Sequence, residues 1–437
     1  MSTDAQQTTA PVHSREFLKR RTLNWIVLGA SYAAYYMARY NLAIADKTIG
    51  DALGFDRTRM GDLKGIGKAV YGTSALLNGP LADRLGGKRT LLIGLMGTFV
   101  ASLIFGACAF LPIRGGWIFG VLAAAWALNN YFQSYGALSI VKVNAAWFHL
   151  RERGTFSGIF GGMIQSGRLL VWALGLLALG MAVPWPWLFL VPGIILLVFH
   201  FLAKRFVENS PKDAGLGDLD VADASSGDTD EKPGVLAIVK RVFTNRAMLT
   251  IALAEFCTGF VRNGTDEWFP RYMQEVYTVN LKDPKLLLTA IGAPISAICG
   301  GLICGWVSDR FFASRRAPVA LFAYVGQATC MLFLGRVSSM GEAGLMLVVN
   351  SFFVQGTHGL LTGVASMDFG GKKGAATAAG FFDGCQYFAG AVGGFAIGRL
   401  VTSYGWGAWP PLLAAFAALG AILMATMWNA RPGRSGH

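Results

Sequence analysis

The chain has 437 residues, 54% of them hydrophobic and only 14% charged, with 56 glycines. So few charges cannot coat a soluble surface around so much apolar length, which excludes a soluble enzyme and implies a polytopic membrane protein. The net charge of +13 matches the Lys/Arg excess of non-translocated loops and gives no reason to expect a nucleic-acid partner.

Met1 to Ser14 is polar and precedes a basic cluster at Arg15, Lys19, Arg20 and Arg21, so no cleavable signal peptide is expected. Apolar windows of membrane length predict twelve spans, near 22–45, 61–82, 90–112, 116–141, 153–180, 184–204, 247–270, 286–308, 317–337, 343–367, 374–400 and 406–429. A polar stretch separates spans six and seven. Its centre, Asp218 to Gly234, is acidic and nearly free of large apolar side chains, which predicts a flexible linker. The organisation read from this is a tail at 1–21, a six-helix half at 22–206, a linker at 207–246, a second half at 247–429 and a tail at 430–437. The tails and even-numbered loops hold about 23 Lys/Arg and the odd-numbered loops about 8, which predicts tails and linker on the cytoplasmic side. The six cysteines lie in apolar segments without metal-type spacing and read as packing residues.

A charge at membrane depth costs roughly 3 kcal/mol or more, so the basic residues inside spans carry the most information. Arg39 lies in ASYAAYYMARYNLAIA and Arg262 in AEFCTGFVRNGTDEWFP, at corresponding places in the two halves. Guanidinium stays protonated and grips phosphate bidentately, so the two arginines predict an anion site. Asp266, four residues after Arg262, permits an intrahelical pair as an alternative. Lys68 in span two and Arg168 in span five are either cavity residues or, for Lys68, a snorkelling one. Lys142 reads first as snorkelling. Asp383 in span eleven needs a partner, a proton or water. His358 in span ten is either packing or a titrating site residue.

The halves also share a loop pattern. Asn78-Gly-Pro-Leu-Ala-Asp-Arg-Leu-Gly-Gly-Lys-Arg89 follows span two, and Gly305-Trp-Val-Ser-Asp-Arg-Phe-Phe-Ala-Ser-Arg-Arg316 follows span eight. Asp83 stands 44 residues after Arg39, and Asp309 stands 47 after Arg262, as two parallel repeats require.

The first of these loops resembles the signature of the major facilitator superfamily. The resemblance implies an all-α membrane protein of twelve transmembrane helices in two pseudo-symmetric halves. It also implies a conformational latch at Asp83, Arg84, Arg89, Asp309 and Arg310, with Lys88 nearby. Ala33-Ala-Tyr-Tyr-Met-Ala-Arg-Tyr-Asn41, Tyr131-Phe-Gln-Ser-Tyr-Gly136, Arg262-Asn-Gly-Thr-Asp-Glu-Trp-Phe-Pro-Arg-Tyr272 and Lys372-Lys-Gly-Ala-Ala-Thr-Ala-Ala-Gly-Phe381 resemble the organophosphate:phosphate antiporters within it. That likeness puts the phosphate clamp on Arg39 and Arg262, and further substrate contacts on Tyr35, Tyr36, Gln133, Glu267 and Tyr387. It departs from the family at Ile164, at Tyr40 where a Lys is usual, and at Ala75. Lys68, Arg168, Asp266, His358 and Asp383 are polar groups outside the pattern.

The implied function is exchange of a phosphorylated organic metabolite for inorganic phosphate across the cell inner membrane, by a monomer that needs no cofactor and is not an enzyme. A sugar-phosphate sensor of a two-component system and a proton-coupled organic-anion symporter are the alternatives. The resemblance to the superfamily also implies that spans two and five face spans eleven and eight. Counting rise from the span ends leaves roughly 7 Å between the levels of Lys68 and Asp383, which predicts a conditional pair between them.

Overall fold

The computed structural model describes residues 13–110, 116–148, 153–217, 244–313, 315–361 and 366–429; side chains at 80, 83, 116, 145, 153–161, 164 and 366–380 are not described. The expected linker centre at Asp218 to Gly234 and the outermost tails lie outside these residues. Thirteen helices and no strand are found among the described residues. They are α1 (Arg15–Leu53), α2 (Arg57–Leu85), α3 (Gly87–Ala107), α4 (Gly116–Trp147), α5 (Arg153–Gly180) and α6 (Trp187–Phe206) in the first half. The second half holds α7 (Arg246–Asp266), α8 (Phe269–Val276), α9 (Pro284–Phe311), α10 (Arg316–Leu334), α11 (Met340–His358), α12 (Ser366–Tyr404) and α13 (Trp409–Thr426).

Local chemistry sets the helix ends. The Ser14 side chain caps α1 at the Phe17 N–H, and Asp56 caps α2 at Arg59. Between them Gly54 turns the chain at φ +68°, a conformation that favours glycine. Ser339 and Glu342 form a capping box on α11. Span seven is broken into α7 and α8. Pro270 cannot donate a backbone hydrogen bond, so the helix restarts at Phe269 with Pro270 in its first turn. The break follows two consecutive acids, Asp266 and Glu267, which sit at the negative end of the α7 dipole.

The two halves pack alike. In the first, α1 contacts α5 and α6, α2 contacts α4, and α3 contacts α4 and α6. In the second, α7 contacts α12 and α13, α9 contacts α11, and α10 contacts α11 and α13. Moving each first-half pairing forward by six spans gives its second-half counterpart. The halves meet where α2 lies on α12 and α5 on α9, as the family resemblance implies.

Among the described residues six helices are apolar enough to cross a membrane by composition, and α1, α2 and α7 are not among them. Those three hold Arg39, Asp46, Lys64, Lys68, Glu255 and Asp266, all buried inside the protein. Lipid-facing surface is instead apolar: Leu288, Ile295 and Leu302 form an exposed stripe at seven-residue spacing on α9.

The α2–α12 seam is closest at the end where Gly54 turns the chain, here the far end; α1 starts at the near end. A Cβ on Gly61 would lie 2.5 Å from the Gly394 carbonyl oxygen, and one on Gly398 would lie 2.6 Å from the Arg57 carbonyl. Small residues four apart on both helices allow this backbone approach. Toward the near end the contact passes to side chains, with a Gly384 Cβ 3.8 Å from a Leu76 methyl. The two helices therefore diverge from the far end to the near end.

Gly394→Ala places a methyl 2.5 Å from the Gly65 nitrogen, which only backbone separation relieves. It should cost about 1–3 kcal/mol and lower the melting temperature of detergent-solubilised protein. Gly384→Ala, with room for the methyl, should leave melting nearly unchanged. Equal melting of the two variants would contradict the tight far-end seam.

Candidate functional site

Arg39 lies midway along α1 and is 2% exposed. Its Nε and Nη2 donate to Gln133 Oε1 on α4 at 3.2 and 3.0 Å, and its Nη1 donates to the Tyr387 hydroxyl on α12 at 3.1 Å. The last bond crosses between the halves. The guanidinium also lies 4.8 Å from the Tyr36 ring centroid and 4.6 Å from that of Tyr71. Tyr71 on α2 stacks in turn on Tyr387 at 4.0 Å. Gln133 is held from behind, because its Nε2 donates to the Tyr35 carbonyl at 3.0 Å. Of the five N–H donors of a guanidinium, three are engaged by these bonds.

Arg262 on α7 stands in the opposite half, within electrostatic range of Tyr36, Tyr40 and Tyr387. Its Nη1 donates to Gln386 Oε1 at 3.1 Å. Gln386 Nε2 bonds Glu255, a carboxylate fully buried on α7, and meets His358 Nδ1 at 2.5 Å. His358 Nδ1 lies 3.9 Å from Glu255 Oε2. His358 thus lies two contacts from Arg262, through Gln386.

The acids after Arg262 pair across the halves. Asp266 Oδ2 accepts from Arg168 Nη1 on α5 at 2.7 Å rather than from Arg262. Glu267 Oε1 lies 2.7 Å from Lys68 Nζ, which also sits 5.7 Å from the Tyr40 ring. Beyond them, toward the far end, Asp46 takes Lys64 Nζ at 2.5 Å and Arg271 Nη1 at 2.9 Å. Lys64 Nζ also donates to the Glu267 carbonyl, freed by the α7–α8 break, at 2.7 Å. Arg271 and Arg57 both reach Glu275, at 2.6 Å each, and Arg399 reaches Asp62 at 2.7 Å. These links fasten α1 and α2 to α7, α8 and α12.

Several sequence expectations are corrected. Lys68 is not with Asp383. Gly65 faces Gly394 and Phe395 while Gly72 faces Tyr387 and Gly384, so Lys68 sits level with about residue 391. Asp383 is eight residues away, about 12 Å along the helix. The Tyr35 hydroxyl turns away from the clamp and donates to the Leu91 carbonyl at 3.2 Å. Gly94 leaves the slot for it, since a Cβ there would lie 2.2 Å from that hydroxyl oxygen. Lys142 reaches the Ala82 carbonyl at 3.1 Å, near the end of α2.

Of the expected latch, Asp309 pairs with Arg316 at 2.6 Å across its own α9–α10 turn, while Arg84, Arg89 and Arg310 are exposed. The Asp83 side chain lies outside the described residues. In the first half it is Lys88 that makes the tie, to Glu208 at 2.8 Å. Sequence reasoning missed Tyr71, Gln386, Glu255, Asp46, Arg271 and Glu275 as parts of the polar interior. The signal for Glu255 was available: an acid seven residues before Arg262 shares its helix face.

The model of the Major Facilitator Superfamily matches residues 28–394. The chain belongs to that superfamily. A glycerol-3-phosphate transporter of Bacillus subtilis is 28% identical over 417 residues, which cover 91% of this chain and 90% of that protein. The membrane sensor protein UhpC of Salmonella typhimurium is 25% identical over 433 residues, covering 96% and 94%. Both names fall in the organophosphate family that the motifs resemble. Among solved structures, the xylose transporter XylE from E. coli, in a partially occluded inward open conformation, matches with a TM-score of 0.72. It is 15% identical and covers 96% of this chain and 99% of that one, a likeness of fold alone. The protein is a multi-pass membrane transporter and not an enzyme.

Removing one partner of a buried ion pair strands the other. Lys68→Met and Glu267→Gln should therefore each destabilise by about 3 kcal/mol. The double variant should recover much of that loss. Melting temperatures of the two single variants and the double test this, and strictly additive losses would argue against the pair.

Proposed function

We propose that the protein exchanges a phosphorylated organic metabolite, of the glycerol phosphate or sugar phosphate class, for inorganic phosphate by alternating access. The observation that carries this reading is Arg39. It is buried at mid-helix and bonded across the halves to Tyr387, with Arg262 of the second half in electrostatic range of the same Tyr36 and Tyr387. A phosphate dianion placed between two guanidiniums would neutralise both and draw the halves together. Without it, two such charges about 5 Å apart repel by roughly 3 kcal/mol at an effective dielectric of 20. An empty carrier thus resists closure, and each crossing in one direction needs an anion to return. The opposing gradients supply the energy, with no covalent chemistry.

In this reading the far end faces the outside and both termini lie in the cytoplasm of a cell whose inner membrane holds the protein. The basic excess of the tails and even-numbered loops supports that orientation. The cross-half ion pairs close the outer side, and the diverging α2–α12 seam opens toward the cytoplasm. The Asp83 and Asp309 loops then act as latches at the cytoplasmic end in the opposite state.

A sensing role is the second reading, favoured by the likeness to a membrane sensor protein. A proton-coupled reading draws on the pairing of Glu255 with His358. Counterflow separates the three. Vesicles loaded with inorganic phosphate should accumulate labelled phosphate, and external glycerol 3-phosphate or glucose 6-phosphate should compete. Binding without accumulation would favour sensing. Uptake that needs no internal phosphate and collapses with a protonophore would favour proton coupling.

The clamp is tested directly by Arg39→Lys and Arg262→Lys. Each keeps the charge but loses the fork, and each should lower exchange about 100-fold, or roughly 2.7 kcal/mol. Near wild-type exchange by either variant at matched expression would remove the two-arginine site.

A further inference from the structure

One face of α5 carries hydrogen-bonding capacity that the fold does not use. Arg168 is 3% exposed and gives its Nη1 to Asp266, yet its Nε and Nη2 have no hydrogen-bond partner among the described residues. Those two nitrogens present N–H groups side by side along one edge of the guanidinium plane. One turn earlier, Gln165 is 8% exposed, and its Oε1 is also without a hydrogen-bond partner among the described residues. Residues three apart lie on the same helix face, with about 4.5 Å of rise between them. Buried polar groups are nearly always paired, so a coincidence of unpaired donors and an unpaired acceptor calls for a ligand.

The surroundings place this face beside the anion site. The Arg168 guanidinium lies 5.7 Å from the ring of Tyr40 on α1. Tyr40 packs on Tyr36 at 5.5 Å, and Tyr36 is the residue over which Arg39 lies. Asp266, which holds Arg168, is one turn beyond Arg262 on α7 and interacts with it electrostatically.

We propose that Gln165 and Arg168 form a subsite that reads a hydroxyl on the organic part of the substrate. The hydroxyl oxygen accepts from the Arg168 edge, and its proton goes to Gln165 Oε1. A hydroxyl is the simple neutral group that both donates and accepts, whereas a carboxylate leaves Gln165 unpaired. Charge argues the same way. Arg168 is balanced by Asp266 and Lys68 by Glu267, so neither adds net charge for a second anionic group beside the phosphate. A second anionic group would go uncompensated. This inference rests on the phosphate-exchange reading and adds to it the residues that select hydroxyl-bearing esters over phosphorylated acids and alkyl phosphates.

The test compares esters that share the phosphate and differ in hydroxyls. Glycerol 3-phosphate and propyl phosphate are measured on purified protein by ligand-induced thermal stabilisation, and in phosphate-loaded proteoliposomes by competition against labelled phosphate. Glycerol 3-phosphate should bind about tenfold or more tighter than propyl phosphate, because the shorter list of donors leaves the buried groups unpaired. Gln165→Leu and Arg168→Lys should shrink that ratio toward one. Arg39→Lys should weaken both esters in parallel and keep the ratio. Equal binding of the two esters to the wild type, or a ratio unchanged in Gln165→Leu, overturns the subsite. Absence of wild-type counterflow overturns the exchange reading instead, and thermal stabilisation still decides whether the hydroxyl is read.

Discussion

A charge inside an apolar interior must find an opposite charge or a dense set of hydrogen bonds, and this constraint organises the protein. Asp46 is the most demanding case: a fully buried carboxylate on α1 held by Lys64 from α2 and Arg271 from α8. Arg271 also binds Glu275, which takes Arg57 in turn. No member of this chain of contacts can leave without stranding another, at a cost of several kcal/mol for each uncompensated ion. The far end is therefore fastened by a network that breaks as a unit, and glycines at 61, 65, 394 and 398 let the backbones beneath it touch. Two-state movement follows from this more naturally than gradual deformation.

The deeper pairs carry the same logic toward the clamp. Asp266 and Glu267 end α7 at the negative pole of its dipole, an unfavourable place for two acids. Arg168 and Lys68 answer them from the first half, and Lys64 takes the exposed carbonyl. The organophosphate family usually has a Lys next to the first-helix arginine, where this chain has Tyr40. Here the cation comes instead from Lys68 on α2, with the Tyr40 ring 5.7 Å beneath its ammonium.

Much of this was legible from residues alone. Apolar windows found the spans, and the cost of burying guanidinium singled out Arg39 and Arg262 before any contact was known. Gln133 and Tyr387 came from motif likeness and do lie on Arg39. The partner of Lys68 was not legible, because helix ends were used as rulers of depth. At 39 residues α12 far exceeds the roughly 20 needed to cross the bilayer, so its start does not mark the membrane face. Tyr35 failed for a different reason. Its fate depends on a slot at Gly94 of another helix, which no local pattern in α1 encodes.

The two arginines of the clamp are alike in sequence and unlike in setting. Arg39 has Gln133 on two nitrogens, Tyr387 on the third and aromatic rings on its faces, so its orientation is fixed before any anion arrives. Arg262 is half-buried and makes a single side-chain bond, to Gln386, among the described residues. Gln386 is itself shared with Glu255 and His358. A fixed donor preorganises the site and lowers the ordering cost of binding. A loosely held one can follow the anion as the halves rock. In the proposed exchange, the asymmetry would give anchoring to the first half and response to the second. In the proposed exchange, a ligand that draws Arg262 forward would also pull on Gln386, and so pass strain to the buried Glu255 carboxylate and to His358.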